Sequence, residues 1–191
     1  MRKLMCLFIV ICISLISVPV KSYASGDGSN HEIGLEYLTP LDDDRNLNTV
    51  SLNILTETLT EKKNLSLSKG ITITRPQGEI IFKGKLRDSS AYGIGPIYLL
   101  RYKPFHPGKL SVSLDMSGGF ILYSKKFPAE GRIYNFMWRI GPQLIYKAGK
   151  NASVNIGYKL MHVSNGSSMF GKGHNPSYDA HGFSLSVLTH F

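Results

Sequence analysis

Residues 134–146 read Tyr-Asn-Phe-Met-Trp-Arg-Ile-Gly-Pro-Gln-Leu-Ile-Tyr. Tyr134, Phe136, Trp138, Ile140, Leu144 and Tyr146 share one parity, while Asn135, Arg139, Gly141 and Gln143 share the other. A repeat of two belongs to a β-strand, whose successive side chains leave opposite faces. One face of this stretch is apolar and aromatic, and the other is polar and carries a charge. What decides the fold is which of the two faces outward, and into what medium.

The same alternation occurs in seven further segments. Ile33, Leu35 and Tyr37 alternate with Glu32, Gly34 and Glu36; Val50, Leu52 and Ile54 with Ser51, Asn53 and Leu55. Leu65, Leu67, Ile71 and Ile73 oppose Ser66, Ser68, Gly70, Thr72 and Thr74. A fourth segment runs through Tyr92, Ile94, Pro96, Tyr98, Leu100 and Tyr102, and a fifth sets Leu110, Val112, Leu114 and Met116 against Ser111, Ser113, Asp115 and Ser117. Val154, Ile156, Tyr158 and Leu160 oppose Ser153, Asn155, Gly157 and Lys159. The last segment alternates Phe183, Leu185 and Val187 with Ser184 and Ser186, and the chain ends on Phe191. After Ala24 there is no apolar run long enough for a membrane-crossing helix.

Segments of about ten residues with one apolar and one polar face fit strands that cross a bilayer. Every backbone group in lipid must be paired within the protein, so such a sheet has to close. The expected fold is therefore all-β, an eight-stranded antiparallel transmembrane β-barrel of the bacterial outer membrane. Its interior would hold Glu32, Glu36, Asp115, Arg139 and Lys159, paired or hydrated. A soluble lipocalin-like barrel would put its apolar face inside. Tyrosine and tryptophan near the strand ends argue for the membrane form, and so does Phe191. The terminal strand resembles the assembly signal of outer-membrane barrels, which implies recognition by the barrel-assembly machinery. Short turns fall at 58–64, 103–109 and 147–151, and longer connections at 39–48, 75–90, 124–131 and 165–179, the asymmetry expected of periplasmic and outer loops.

The N-terminus begins Met-Arg-Lys, continues through an apolar run and reaches Ser22-Tyr23-Ala24. This pattern predicts a secretory signal over residues 1–24 and a single barrel over 25–191. Cys6 and Cys12, the only cysteines, lie in the leader, so the barrel is expected to stand without disulfides. The chain has 22 basic residues against 13 acidic ones and stays basic without Arg2, Lys3 and Lys21. For an exported protein this charge suits phosphorylated lipid head groups and makes nucleic acid a poor partner. The sequence also admits a homodimer.

Near the end of the seventh segment stands Leu160-Met-His-Val-Ser-Asn-Gly166. Parity puts His162 and Ser164 on the face of Tyr158 and Leu160, toward lipid. Two strand residues span roughly 6.6 Å, within reach of an imidazole leaning toward a hydroxyl. Serine needs a neighbouring base to become a nucleophile, and the base needs a group that fixes its tautomer. After Glu130 the only carboxylate is Asp179, which opens the last strand with the parity of Phe183. Asn165 and the backbone N–H of Gly166 are candidate oxyanion donors. His162, His174, Asp179 and His181 also cluster in sequence, but without zinc spacing, so no metal or other cofactor is expected. Asp42-Asp43-Asp44 reads as a solvated turn or a calcium site.

The run His162-Val163-Ser164-Asn165-Gly166, followed by Asn175-Pro176-Ser177-Tyr178-Asp179, resembles the lipid A 3-O-deacylase (PagL) family. The resemblance implies an eight-stranded outer-membrane barrel with a Ser-His-acid triad on its outside. Ser164 would be the nucleophile, His162 the base and Asn165 an oxyanion donor. Two positions depart from the family pattern, Ser177 where glycine is usual and Asp179 where glutamate is frequent. The implied activity is that of a serine esterase that cleaves the 3-position acyl ester of lipid A in the outer leaflet and releases a 3-hydroxy fatty acid. Lys125, Lys126, Arg132 and Lys172 would meet the phosphates of this lipopolysaccharide substrate. The competing classes are a non-catalytic barrel for adhesion or envelope resistance and another lipid acyl hydrolase or transferase.

Overall fold

The computed structural model describes residues 30–42, 45–61, 64–105, 108–166 and 176–189. The expected leader 1–24 lies outside these residues, as do Lys172, His174 and Phe191. The strands are β1 (His31–Pro40), β2 (Arg45–Glu61), β3 (Leu65–Phe82), β4 (Lys85–Asp88), β5 (Gly93–Phe105), β6 (Leu110–Phe127), β7 (Arg132–Lys147), β8 (Ala152–Ser164) and β9 (Tyr178–Thr189). All pairings are antiparallel. The sheet runs β2-β1-β9-β8-β7-β6-β5-β3, and a β2–β3 pairing closes it into an eight-stranded barrel. Among the described residues there is no helix.

Alternation decides what each strand presents. On β1, Ile33, Leu35 and Tyr37 are exposed, while Glu32 and Glu36 between them are buried. The same inversion recurs on β8 and β9, where Ile156, Leu160, Phe183 and Leu185 are exposed and Asn155, Lys159 and Ser186 are buried. An exposed apolar wall around a buried polar core is stable only where the surroundings are lipid.

The core is filled, with ionic pairing in its middle. Arg101 of β5 donates to Glu32 at 2.9 and 3.2 Å and to Asp115 at 3.0 and 2.9 Å. Lys159 donates to Asp115 at 3.1 Å and to Gln143 at 3.0 Å. Arg139 lies 3.0 Å from Glu36 and reaches Asn53, Ser51 and Thr72. Three carboxylates thus meet three cations. This is how buried charge is tolerated, because each ion's lost hydration is replaced by a partner. A cavity of about 40 Å³ remains beside Glu32, Asn53, Arg101 and Ser184.

Two features differ from the sequence reading. The interior is not polar throughout. Toward the end opposite His31 and Thr189, Leu38, Leu47, Ile121, Phe127, Met137, Val163 and Tyr178 form a buried apolar plug. Within a closed sheet the inward face can be filled by either chemistry, and alternation alone marks only the difference between faces. Segment 75–90 is also not a plain loop. β3 continues to Phe82 and turns back through Lys83 and Gly84, at φ 51° and 72°, into β4. Positive φ at both central residues is what a tight type I′ hairpin requires.

Arg101 is the hub of the interior, and replacing it leaves buried Glu32 without a cation and Asp115 with Lys159 alone. Arg101→Ala is expected to destabilise the folded barrel by about 3 kcal/mol or more. Urea unfolding in lipid vesicles measures this, and an unchanged midpoint would remove the network from the account of stability.

Candidate active site

β8 runs between β7 and β9 to the rim opposite His31 and Thr189. Its register sets His162 opposite Trp138 on one side and Asp179 on the other, and Ser164 opposite Phe136. His162, with Tyr158 and Leu160, is on the outward face, as parity predicts. The imidazole Nδ1 lies 2.6 Å from Asp179 Oδ1, and the two side chains are 18% and 38% exposed. A carboxylate accepts, so Nδ1 carries the proton and Nε2 is left as the basic nitrogen. On the opposite flank the Trp138 ring stacks on the imidazole, with centroids 5.6 Å apart and planes 26° from parallel. Ser164 is only 2% exposed, which keeps bulk water from its hydroxyl.

The start of β9 is held by inward anchors. Tyr178 is fully buried, donates its hydroxyl to the Leu47 carbonyl at 2.6 Å and packs edge-on against Phe127 at 5.6 Å. Because neighbours on a strand face opposite ways, an anchored Tyr178 turns Asp179 outward. The β1–β2 connection clasps the same stretch, since Leu41 N–H donates to the Asp179 carbonyl at 3.0 Å and Arg45 donates to that of Ser177. Arg45 is itself paired with Asp42 at 3.1 Å.

Beyond Ser164 the chain leaves the strand. Asn165 is buried, and Gly166 is buried at φ 68°. That left-handed conformation is open to glycine and costs other residues roughly 1 kcal/mol. Both residues thus follow Ser164 directly beyond the end of β8.

The expected phosphate contacts separate. Arg132 is exposed at the start of β7, bonded to the Tyr134 hydroxyl, with its guanidinium 5.5 Å from the centre of that ring. Tyr134 stacks on Phe120 at 6.1 Å, and Phe120 meets Phe136 edge-on at 5.8 Å. An aromatic shelf therefore runs from Arg132 to the partner of Ser164. Lys126 is exposed at the end of β6. Lys125 is engaged by Asp88 of β4; its ammonium, together with Ser90, holds that carboxyl well below the usual carboxylate range. Lys172 lies outside the described residues.

His181 accepts or donates a 2.5 Å hydrogen bond with Tyr158 on the same outward face, one pleat below Asp179. Among the described residues no group of three or more His, Cys, Asp or Glu side chains could hold a metal ion. Trp138 and Tyr178 were not legible as parts of the site, because their roles depend on cross-strand register and on what fills the barrel beneath them.

A closed barrel with an apolar exterior, a paired ionic core and a His–carboxylate couple at its rim is a protein of the outer membrane. The chain belongs to the lipid A 3-O-deacylase (PagL) family, whose sequence profile matches residues 49–187. At the level of the family it is a lipid A deacylase, a hydrolase. The crystal structure of the outer membrane enzyme PagL is similar to it with a TM-score of 0.53 at 13% identity, over 83% of this chain and 97% of that one, a likeness of fold. The outer membrane protein AlkL, solved by solid-state NMR in lipid bilayers, gives 0.42 at 16% identity over 87% and 90%. No curated protein matches the chain by sequence.

The His162–Asp179 couple sits on the outside of the sheet, so removing the carboxylate leaves the ionic core untouched. Asp179→Ala is expected to lower deacylation by roughly 10²–10⁴-fold, the range for a lost orienting acid. The folded barrel should keep its heat-modifiable migration on gels, and an unchanged rate would mean that another group orients His162.

Proposed function

We propose that this chain is a serine esterase that removes the 3-position acyl chain of lipid A in the outer leaflet, with Ser164 as nucleophile, His162 as base and Asp179 as orienting acid. The observation that carries the reading is the 2.6 Å His162–Asp179 bond on the outward face, two residues from Ser164 on the same strand. Membership of a deacylase family supports it from an independent direction.

The chemistry follows from that arrangement. Nε2 of His162 takes the hydroxyl proton as Ser164 Oγ attacks the ester carbonyl. The charge developing on the carbonyl oxygen is met by the Asn165 amide and the Gly166 N–H, donors of a type whose loss costs about 10²–10³-fold. The imidazolium returns its proton to the departing sugar hydroxyl, leaving an acyl-serine. Water, deprotonated by the same imidazole, then releases the 3-hydroxy fatty acid and restores Ser164. Asp179 keeps Nδ1 protonated and stabilises the cation in both halves.

The position suits a substrate that is itself a lipid. An acyl chain in the bilayer reaches the outward face of β8 sideways, without entering the barrel. Arg132, and after it Lys126, are the cations on the β6–β7 side of Ser164, and a phosphate of the substrate would rest there with acyl carbon on the Phe120–Tyr134–Phe136 shelf. Lys125, already paired with Asp88, contributes less to that contact.

Lipid A mass spectra from cells expressing the wild type or Ser164→Ala test the reading. Wild type should lose one 3-hydroxyacyl mass and Ser164→Ala should not. Equal loss from both would overturn the serine mechanism, and an added acyl mass would make the protein a transferase.

A further inference from the structure

We propose that Trp138 is a positioning residue for His162, with an indole plane that confines the imidazole and stabilises the cation it becomes during turnover. The proposal rests on the reading of His162 as the base and adds to it a residue outside the Ser-His-acid set.

The imidazole is held on two sides by two different strands. From β9, Asp179 binds one edge at 2.6 Å. A single hydrogen bond fixes that edge and leaves the ring free to tilt about it. From β7, the Trp138 ring covers one face, with centroids 5.6 Å apart and planes inclined by 26°. The antiparallel register makes Trp138 the direct partner of His162, so the stack is set by backbone pairing and not by a chance rotamer. Edge and face restraints together define the direction of Nε2, which a proton transfer needs.

The stack also bears on charge. An imidazolium over an indole face is attracted by the ring's negative π cloud, more strongly where water is scarce. A neutral imidazole becomes the cation as it takes the serine proton, so during turnover this attraction is greater in the transition state than in the base form that begins the reaction, which is the condition for catalysis. Among the described residues the groups facing His162 are few. β9 supplies Asp179 and, one pleat away, His181, which is tied to Tyr158. β7 supplies Phe136, Trp138 and Ile140, none of which titrates. On β8 itself the neighbours of the same parity are Leu160, which is exposed, and Ser164, which is buried. The β7 side therefore acts on the charge of His162 through the aromatic ring.

Trp138 is the only tryptophan in the chain, which gives the stack its own optical readout. A protonated imidazole in contact with indole quenches its fluorescence. With the full chain in lipid vesicles, emission should fall on acidification along a one-proton curve that His162→Gln abolishes. In activity assays, Trp138→Leu should lower kcat about fivefold or more with KM little changed. It should also move the acid limb of the pH–rate profile to lower pH by about half a unit, because a less stabilised imidazolium gives up its proton sooner. Trp138→Phe, which keeps a ring face, should recover most of the rate and of the limb position.

Emission that ignores pH, or a curve that survives His162→Gln, would overturn the proposal. So would a Trp138→Leu enzyme with wild-type kcat and profile. The optical titration needs no turnover, so it separates the two readings. Undiminished deacylation by Ser164→Ala alongside a His162-dependent emission curve would sink the serine mechanism and retain the stack. Flat emission with an inactive Ser164→Ala would sink the stack alone.

Discussion

A backbone amide in the middle of a bilayer has no water to bond, and this constraint governs the rest of the molecule. It forces the strands to pair on both edges, and the β2–β3 and β1–β9 pairings complete the ring. Closure creates an interior that must be filled, and it fixes which face of each strand does the filling. The ionic core around Arg101 and the apolar plug around Phe127 are two answers to the same demand. With both in place the outside of the barrel carries little of the burden of stability, and its side chains are available for other work.

That separation explains how a histidine–carboxylate couple can sit on the outer wall. His162 and Asp179 belong to the outward set of their strands, whereas Val163 and Tyr178 between and beside them are buried anchors. Each outward side chain is aimed by an inward neighbour that packs in the core. The rim is held in the same way from the flanks, by Tyr178 against Leu47 and Phe127 and by the Asn135 amide, which donates to the Phe127 carbonyl at 2.9 Å. Geometry at the site is thus set by rigid strands, which hold side chains more closely than loops do.

Charge around the site is uneven. On the β9–β1 side stand Asp179 and the Asp42–Arg45 pair, and on the β6–β7 side stand Arg132 and Lys126 above an aromatic shelf. The His181–Tyr158 bond lies lower on the same face, where an unpaired imidazole would be costly against lipid. Pairing at that level leaves the reactive groups concentrated at the rim.

The alternation in residues 134–146 and its seven relatives determined by itself that the chain forms strands, how many cross the membrane, and which side chains face out. Period two follows from local backbone geometry, and closure follows from the medium, so neither needs tertiary information. His162, Ser164 and Asp179 were singled out from the same alternation, since two share a strand and the third is the only carboxylate after Glu130, and the structure sets Asp179 against His162. The tertiary structure alone decided the partners. Arg101 became the hub of the core because closure brings in Glu32 from the first strand while the β5–β6 register sets Asp115 directly opposite it. Trp138 came to lie on His162 because β7 and β8 pair in one register and no other. The apolar plug and the β3–β4 hairpin were likewise set by closure and turn geometry. Parity tells a side chain which way to point, and only the assembled sheet tells it what it meets there.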